Sequence, residues 1–283
     1  MGFYMTNVCI VGLGHIGGSL GKALVDARKN GKRLYKVYGY ARKPGVCRAA
    51  LKIKACDAVF NSIDEIKNCD IIVLCVPVDK IAHFYKALVK IVSPETVITD
   101  VGSIKGFIEV EVKKIRGNLP HRKVADFVGA HPMAGREVSG INSADETIFK
   151  GATCIITGSV SANVKNEKLV KKMWQDTGLK IVKMPAKEHD FLTALTSHLP
   201  HITAFCLQGM YNDVKRKYPN IEKIVAGSFK SATRVATSSA AMWAPIFNLN
   251  RKEIIKHTEI FSKNIKKLSK VSKISNILRL QGK

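Results

Sequence analysis

Four apolar residues, Val8-Cys9-Ile10-Val11, run straight into Gly12-Leu13-Gly14-His15-Ile16-Gly17, and helical spacing follows from Ile16 to Arg28. A short strand that breaks on glycines and resumes as a helix is the opening of a βαβ unit, and no other part of the chain restricts the fold as tightly. Gly12 permits the tight turn, Gly14 lets backbone approach a pyrophosphate, and Gly17 lets the helix pack close to the sheet. The helix start then offers unpaired N–H groups and a partial positive charge to phosphate.

The chain continues in the same manner. Strands are expected at Lys36–Tyr40, Asp70–Val76, Thr96–Val101, Asp126–Ala130, Thr153–Thr157 and Lys180–Met184. Helices are expected from Pro44 to Leu51, Ile81 to Ile91 and Lys165 to Asp176. Such alternation predicts an α/β fold, a Rossmann-type doubly wound parallel sheet with helices on both faces. After Pro185 the strand signals cease. Phe191, Leu195, Leu199, Ile202 and Phe205 recur at helical spacing, as do Ile254, Phe261, Ile265, Leu268, Ile274 and Leu278. The expected organisation is a dinucleotide-binding domain over 1–185 and an all-helical domain over 186–283.

The end of the second strand bears on the choice of dinucleotide. An enzyme for NAD usually carries Asp or Glu there, accepting from the ribose 2′-hydroxyl. This chain reads Tyr38-Gly39-Tyr40-Ala41-Arg42-Lys43. A guanidinium pairs with a 2′-phosphate that a carboxylate would repel. NADP is therefore expected over NAD, with NAD still possible; the other reading is that Arg42 merely begins a solvated basic stretch. The expected dinucleotide contacts are Gly12, Leu13, Gly14, His15, Ile16, Gly17, Ala41, Arg42, Lys43, Val76, Pro77, Asp100, Ser103 and Lys105.

Net charge is +24, from 46 basic and 22 acidic residues. Such a field attracts anions, but the charge is scattered through helices rather than gathered in a block with interleaved aromatics, so a nucleic-acid partner is not expected. No run approaches the roughly 18 apolar residues that cross a bilayer, and Met1 to Asn7 do not read as a signal peptide. A cytoplasmic protein without membrane contact is expected. The seven cysteines are odd in number and no pair has CxxC spacing, which points to reduced buried thiols and no metal site.

Three further segments stand out: Asp100-Val101-Gly102-Ser103-Ile104-Lys105, Gly129-Ala130-His131-Pro132-Met133-Ala134-Gly135-Arg136-Glu137, and Ser197-His198-Leu199-Pro200-His201. The first two follow strands, where ligands bind in doubly wound sheets. Taken with His189-Asp190 and with Ala232-Thr233-Arg234 followed by Met242-Trp243, they resemble the prephenate dehydrogenase family in order over about residues 7 to 250. Ser197 to His201 and the Arg234/Trp243 pair are the specific parts of that resemblance.

The resemblance implies oxidative decarboxylation of prephenate or arogenate in tyrosine biosynthesis. C4 of a cyclohexadiene ring gives hydride to the nicotinamide, its hydroxyl loses a proton, and carbon dioxide leaves. His131 is then the residue that accepts the proton; an imidazole of reference pKa about 6.5 suits a base near neutrality. Ser103 hydrogen-bonds the same hydroxyl. Ser197 and His201 share a helix face that meets the substrate, Arg234 clamps a carboxylate, and Glu137 helps to close the site. Trp243 either walls the pocket or packs into the core. His198 points away from Ser197 and reads as structural, and Pro200 should kink its helix. A homodimer through the helical half is implied as well.

The chain departs from the family at two acids, with Ser231 three residues before the arginine and Pro245 two residues after the tryptophan. No residues are left over for a chorismate mutase or regulatory module, so feedback control through one is not expected. Two other classes stay open: another two-domain NADP dehydrogenase acting on a hydroxy acid or imine, and a non-catalytic NADP-sensing or nucleic-acid-binding protein.

Overall fold

In the computed structural model, residues 4–119, 124–161 and 163–269 are described. Ile274 and Leu278 of the expected helical repeat lie outside them. The described residues form two compact units, one within 1–189 plus 238–249, the other within 190–237 plus 250–283.

The first unit is a sheet with helices on it. β1 (Thr6–Val11) leads through the glycine turn into α1 (His15–Asp26), where a helix through Arg28 is expected from sequence. The chain turns back there instead, because Arg28–Lys29 and Lys32–Arg33 pair as a two-residue hairpin, β2 and β3. Then come β4 (Tyr35–Tyr40), α2 (Pro44–Lys52), β5 (Ala58–Val59), β6 (Ile71–Leu74), α3 (Ile81–Leu88), β7 (Val97–Asp100), α4 (Gly106–Gly117), β8 (Asp126–Pro132), β9 (Thr153–Ser159), α5 (Val164–Asp176) and β10 (Lys180–Lys183). The strand order is β10-β9-β8-β7-β6-β1-β4-β5. All four residues of β6 and of β7 are buried, as strands covered on both faces must be.

One expectation is corrected here. The sheet is mixed, because β9 pairs antiparallel with β8. Apolar runs record burial and say nothing of strand direction, so the sequence reads as parallel throughout. Pairing is irregular between Gly129 and Ala130 of β8, just before His131. A bulge bends its strand and re-aims the side chains beyond it.

β1 lies between β4 and β6, so the chain leaves it in one direction and later returns on the other side. That is a topological switch point, and doubly wound sheets bind their ligands beyond the carboxyl ends of the strands at such a point, here β1 and β6. Helix α9 (Ala240–Leu249) also belongs to this unit, and Trp243 is buried there against Phe247, ring centroids 5.2 Å apart.

The second unit is helical among its described residues. It contains a π-helical turn over Ala194–His198, α7 (Leu199–Lys217), α8 (Gly227–Thr233) and α10 (Arg251–Leu268). The helix α6 (Ala186–Thr193) precedes the π turn in the chain. Pro200 stands in the first turn of α7, where its missing N–H is tolerated. The i→i+5 turn immediately before it is the irregularity that takes the place of an expected kink. His198 is buried, with Nδ1 3.1 Å from Asn250 Nδ2, and that amide donates to Asp190 O at 2.8 Å. These bonds give His198 a structural task.

Candidate functional site

The glycine turn has the geometry its spacing implies. Gly12 has φ +103°, and a Cβ there would stand 2.3 Å from Cys75 O, so both backbone and space demand glycine. A Cβ on Gly17 would meet Gly12 O at 2.0 Å, which shows how closely α1 packs. Around Gly14 nothing lies within 4 Å of the corresponding position. The turn is thus tight beneath and open above, a cradle that fits a phosphate at the start of α1.

Not every expected dinucleotide contact is made by a side chain. Leu13 belongs to the apolar core, so only its backbone faces the turn. His15 is buried and gives Nδ1 to Ser143 O at 2.8 Å. Ala41 is half-buried after β4, while Arg42 and Lys43 are exposed, Lys43 capping α2. Ile16 and Val76 are half-buried, and Pro77 is exposed at the end of β6.

Asp100 and Lys105 have another task. Asp100 is fully buried, and Lys105 is 1% exposed and ion-paired to it. Asp100 accepts from Gly102 N at 2.9 Å and Ala130 N at 3.0 Å, and Lys105 donates to Ala130 O at 2.8 Å. The pair holds both polar groups of the residue before His131. It forms a buried strut that fixes the end of β8 just before His131.

His131 lies at the end of β8, half-buried, with Nδ1 2.8 Å from Nε2 of the buried His189. The rings meet edge to face, 69° apart. In the tautomer that donates from His131 Nδ1, the lone pair of His131 sits at Nε2, suited to taking a proton. His189 is absent from the site residues that the sequence singles out by role. It is 58 residues away with no spacing to betray the contact, and only its place in the His189-Asp190 match marks it. Ser103 is half-buried in the turn after β7.

Residues 133–149 form a strap that leaves β8 and lies along α1. Gly135 faces Ile16, Asp145 N donates to Ser19 Oγ at 2.9 Å, and Phe149 packs on Trp174. Arg136 and Glu137 are exposed on this strap. Trp243 is 6% exposed, which favours the core over the pocket wall.

Ser197, His201 and Arg234 belong to the second unit. His201 donates from Nδ1 to Ser197 O at 2.9 Å, so the two share one helix face. Neutral His201 then carries its lone pair at Nε2. Arg234 is exposed where α8 passes into a 3-10 turn.

A glycine cradle at a switch point, with a paired imidazole at the end of a strand three places along the same sheet edge and a separate helical unit, defines a nucleotide-dependent α/β enzyme. Comparison with known proteins narrows that class. Residues 23–183 match the nucleotide-binding domain of prephenate dehydrogenase, and residues 185–277 match its dimerization domain. The first match begins beyond the glycine turn, so the turn is argued from its own geometry. A prephenate dehydrogenase of Bacillus subtilis is 32% identical over 266 residues, 93% of this chain and 69% of that protein. A cyclohexadienyl dehydrogenase of Zymomonas mobilis is 30% identical over 264 residues, 93% of this chain and 87% of that one. The crystal structure of prephenate dehydrogenase from Aquifex aeolicus with hydroxyphenyl propionate and NAD+ superposes with a TM-score of 0.82 at 32% identity, covering 100% of this chain and 94% of that one. The chain belongs to the prephenate dehydrogenase family. Among the described residues no helix is long and apolar enough to cross a membrane, and no cluster of metal-ligating side chains is present.

Proposed function

We propose that this protein is an NADP-preferring prephenate or arogenate dehydrogenase acting in tyrosine biosynthesis. The observation that carries the reading is His131, on the carboxyl edge of the sheet with Nδ1 engaged by His189. A base tied at one nitrogen presents the other in a fixed direction. The Aquifex aeolicus relative holds a phenolic acid and NAD+, ligands of the kind this chemistry calls for.

A nicotinamide, when bound, supplies the acceptor for the hydride that leaves ring C4. The protein's residues do the rest. His131 Nε2 takes the proton of the 4-hydroxyl, with Ser103 holding the same oxygen. The imidazolium so formed donates a charge-assisted bond through Nδ1 to His189. As the C–C bond to the ring carboxylate breaks, its electron pair enters the ring, carbon dioxide departs, the ring becomes aromatic, and the ring oxygen takes its proton back from His131, which regenerates the base. Arg234 pairs with a substrate carboxylate, and Ser197 and His201 meet the ring from their shared helix face. Glu137 helps to close the site, and Trp243 acts from within the core.

The preference for NADP rests on Arg42 and Lys43, exposed directly after β4, and on the lack of an acid from Tyr38 to Lys43. A homodimer fits the match of residues 185–277 to a dimerization domain. The test is purified protein with prephenate or arogenate, each with NAD or NADP, following nicotinamide reduction and carbon dioxide release. The expected result is one carbon dioxide per reduced cofactor and a higher kcat/KM with NADP. No reduction with either substrate would refute the assignment.

A further inference from the structure

The strap carries a cation, Arg136, on a segment anchored at both ends to the first turns of α1. Gly135, at φ +152°, abuts the first turn of α1, since a Cβ there would lie 3.6 Å from Ile16 Cδ1. Ten residues further on, Asp145 N donates to Ser19 Oγ, which itself donates to His15 O at 2.7 Å. Between these two anchors, His15 Nδ1 donates to Ser143 O, while Ile141 and Ala144 cover Gly18. Arg136 is therefore bracketed. Its neighbour in sequence touches Ile16, and its ion-pair partner Asp145, 3.0 Å away, is bonded to Ser19. Both anchors lie in the first turn and a half of α1.

The guanidinium is 61% exposed, and an exposed pair of this kind holds its partners weakly. A pyrophosphate on the first-turn N–H groups of α1 brings two negative charges into the same neighbourhood. Guanidinium and phosphate match bidentately, so phosphate outcompetes the single half-buried carboxylate of Asp145. We propose that Arg136 is a pyrophosphate clamp held in waiting by Asp145, which it leaves when a dinucleotide binds. This assignment rests on the reading of the glycine turn as a dinucleotide site. It differs in kind from the role of Arg42, because pyrophosphate is common to NAD and NADP while the 2′-phosphate is not.

The clamp predicts effects of opposite sign at the two ends of one ion pair. Arg136→Ala removes a cation from the phosphate. Asp145→Asn removes its competitor. If the pair served only to pin the strap, both substitutions would loosen the site alike.

The experiment is equilibrium titration of wild type, R136A, R136K, D145N and R42A with NADPH and with NADH, read by nicotinamide fluorescence, with thermal unfolding as the control for folding. For R136A, Kd should rise about tenfold for both dinucleotides, equivalent to about 1.4 kcal/mol. R136K should fall between R136A and wild type. D145N should lower Kd, and R42A should weaken NADPH alone. Wild-type binding with R136A unchanged, or R136A and D145N moving Kd in the same direction, overturns the clamp. A wild type that binds neither dinucleotide overturns the clamp together with the dinucleotide reading beneath it.

Discussion

Replacing Lys105 by Met should damage the protein far more than its place in a turn suggests. The Lys105 side chain is 1% exposed and its partner Asp100 is fully buried, so water screens neither charge. Removing the cation leaves a buried carboxylate with two backbone donors, Gly102 N and Ala130 N, and takes the Nζ donor from Ala130 O. Breaking a buried pair from one side costs about 3–5 kcal/mol. At about 2–4 °C per kcal/mol for a chain of this size, a loss near 4 kcal/mol lowers the apparent Tm by about 8–16 °C. The double variant D100N/K105M removes both charges. Its loss should be well below the sum of the two single losses, because neither partner is left charged and alone. The assay is thermal and urea unfolding of wild type, both single variants and the double. Since Ala130 precedes His131, kcat of K105M should also fall at temperatures where the variant is folded. A K105M protein within about 1 kcal/mol of wild type, or a double variant that loses the full sum, would refute the reasoning.

Other substitutions separate the roles assigned above. His131→Ala should lower kcat by about 10²–10⁴ with little change in KM, whereas Arg234→Ala should mainly raise KM; steady-state kinetics showing the reverse would undo both roles. His189 acts through His131 as a positioning residue, so His189→Ala should lower kcat by about 10- to 100-fold while substrate KM holds. His189→Gln, whose amide oxygen can accept from His131 Nδ1, should recover part of that loss; a glutamine variant no better than alanine would deny the hydrogen bond its part. Cys206 is the exposed thiol, while burial pushes Cys56 up to about 12 and raises Cys9, Cys75 and Cys154 as well. A raised thiol pKa keeps those four in the unreactive protonated form at pH 8, and burial closes Cys47 to a thiol reagent and Cys69 too, although a hydrogen bond with Cys9 lowers the latter, so native protein should release about one equivalent rapidly and all seven after unfolding. Two or more fast equivalents would contradict that burial.

Much of the first unit is legible from sequence because its elements are local. Seven of the ten strands are short apolar or alternating runs bounded by breakers, and the central ones, such as Ile71–Leu74, are apolar at every position. The glycine turn is legible because its three glycines fall within six residues, although the close approach at Gly12 is set by Cys75 O, far along the chain. Helix α4 is not legible, because only Ile108 and Val112 are buried among Glu109, Glu111, Lys113 and Lys114, too thin an apolar stripe to stand out. The candidate site is harder to read. His131 and His189 are 58 residues apart. Trp243 returns to the first unit from beyond the helical segment, a long-range contact that periodicity cannot report. The burial of Asp100 and Lys105 is hidden too, since a charged pair next to a glycine reads equally well as a ligand contact.

The direction of β9 is the fold's least legible feature and has the largest consequence for the site. Pro132 at the end of β8 faces Cys154 near the start of β9. Residues 133–152 therefore leave the carboxyl edge of the sheet and return to that same edge. A parallel β9 would have required a crossover to the opposite end and left the glycine turn uncovered. The antiparallel step instead keeps the connection where ligands bind, and its apolar residues Ile141, Ala144 and Phe149 hold it against α1 and α5. Along that edge His131 stands three strands from Gly12, about 14 Å at the usual strand spacing. That distance separates a base on β8 from a phosphate on β1 by room for a nicotinamide and a six-membered ring. The strap then reaches back across the same interval from His131 to Ile16 and Ser19. The residues that follow the base are thus brought to the first turns of α1, Gly135 against Ile16 and Asp145 against Ser19, because β9 runs the other way.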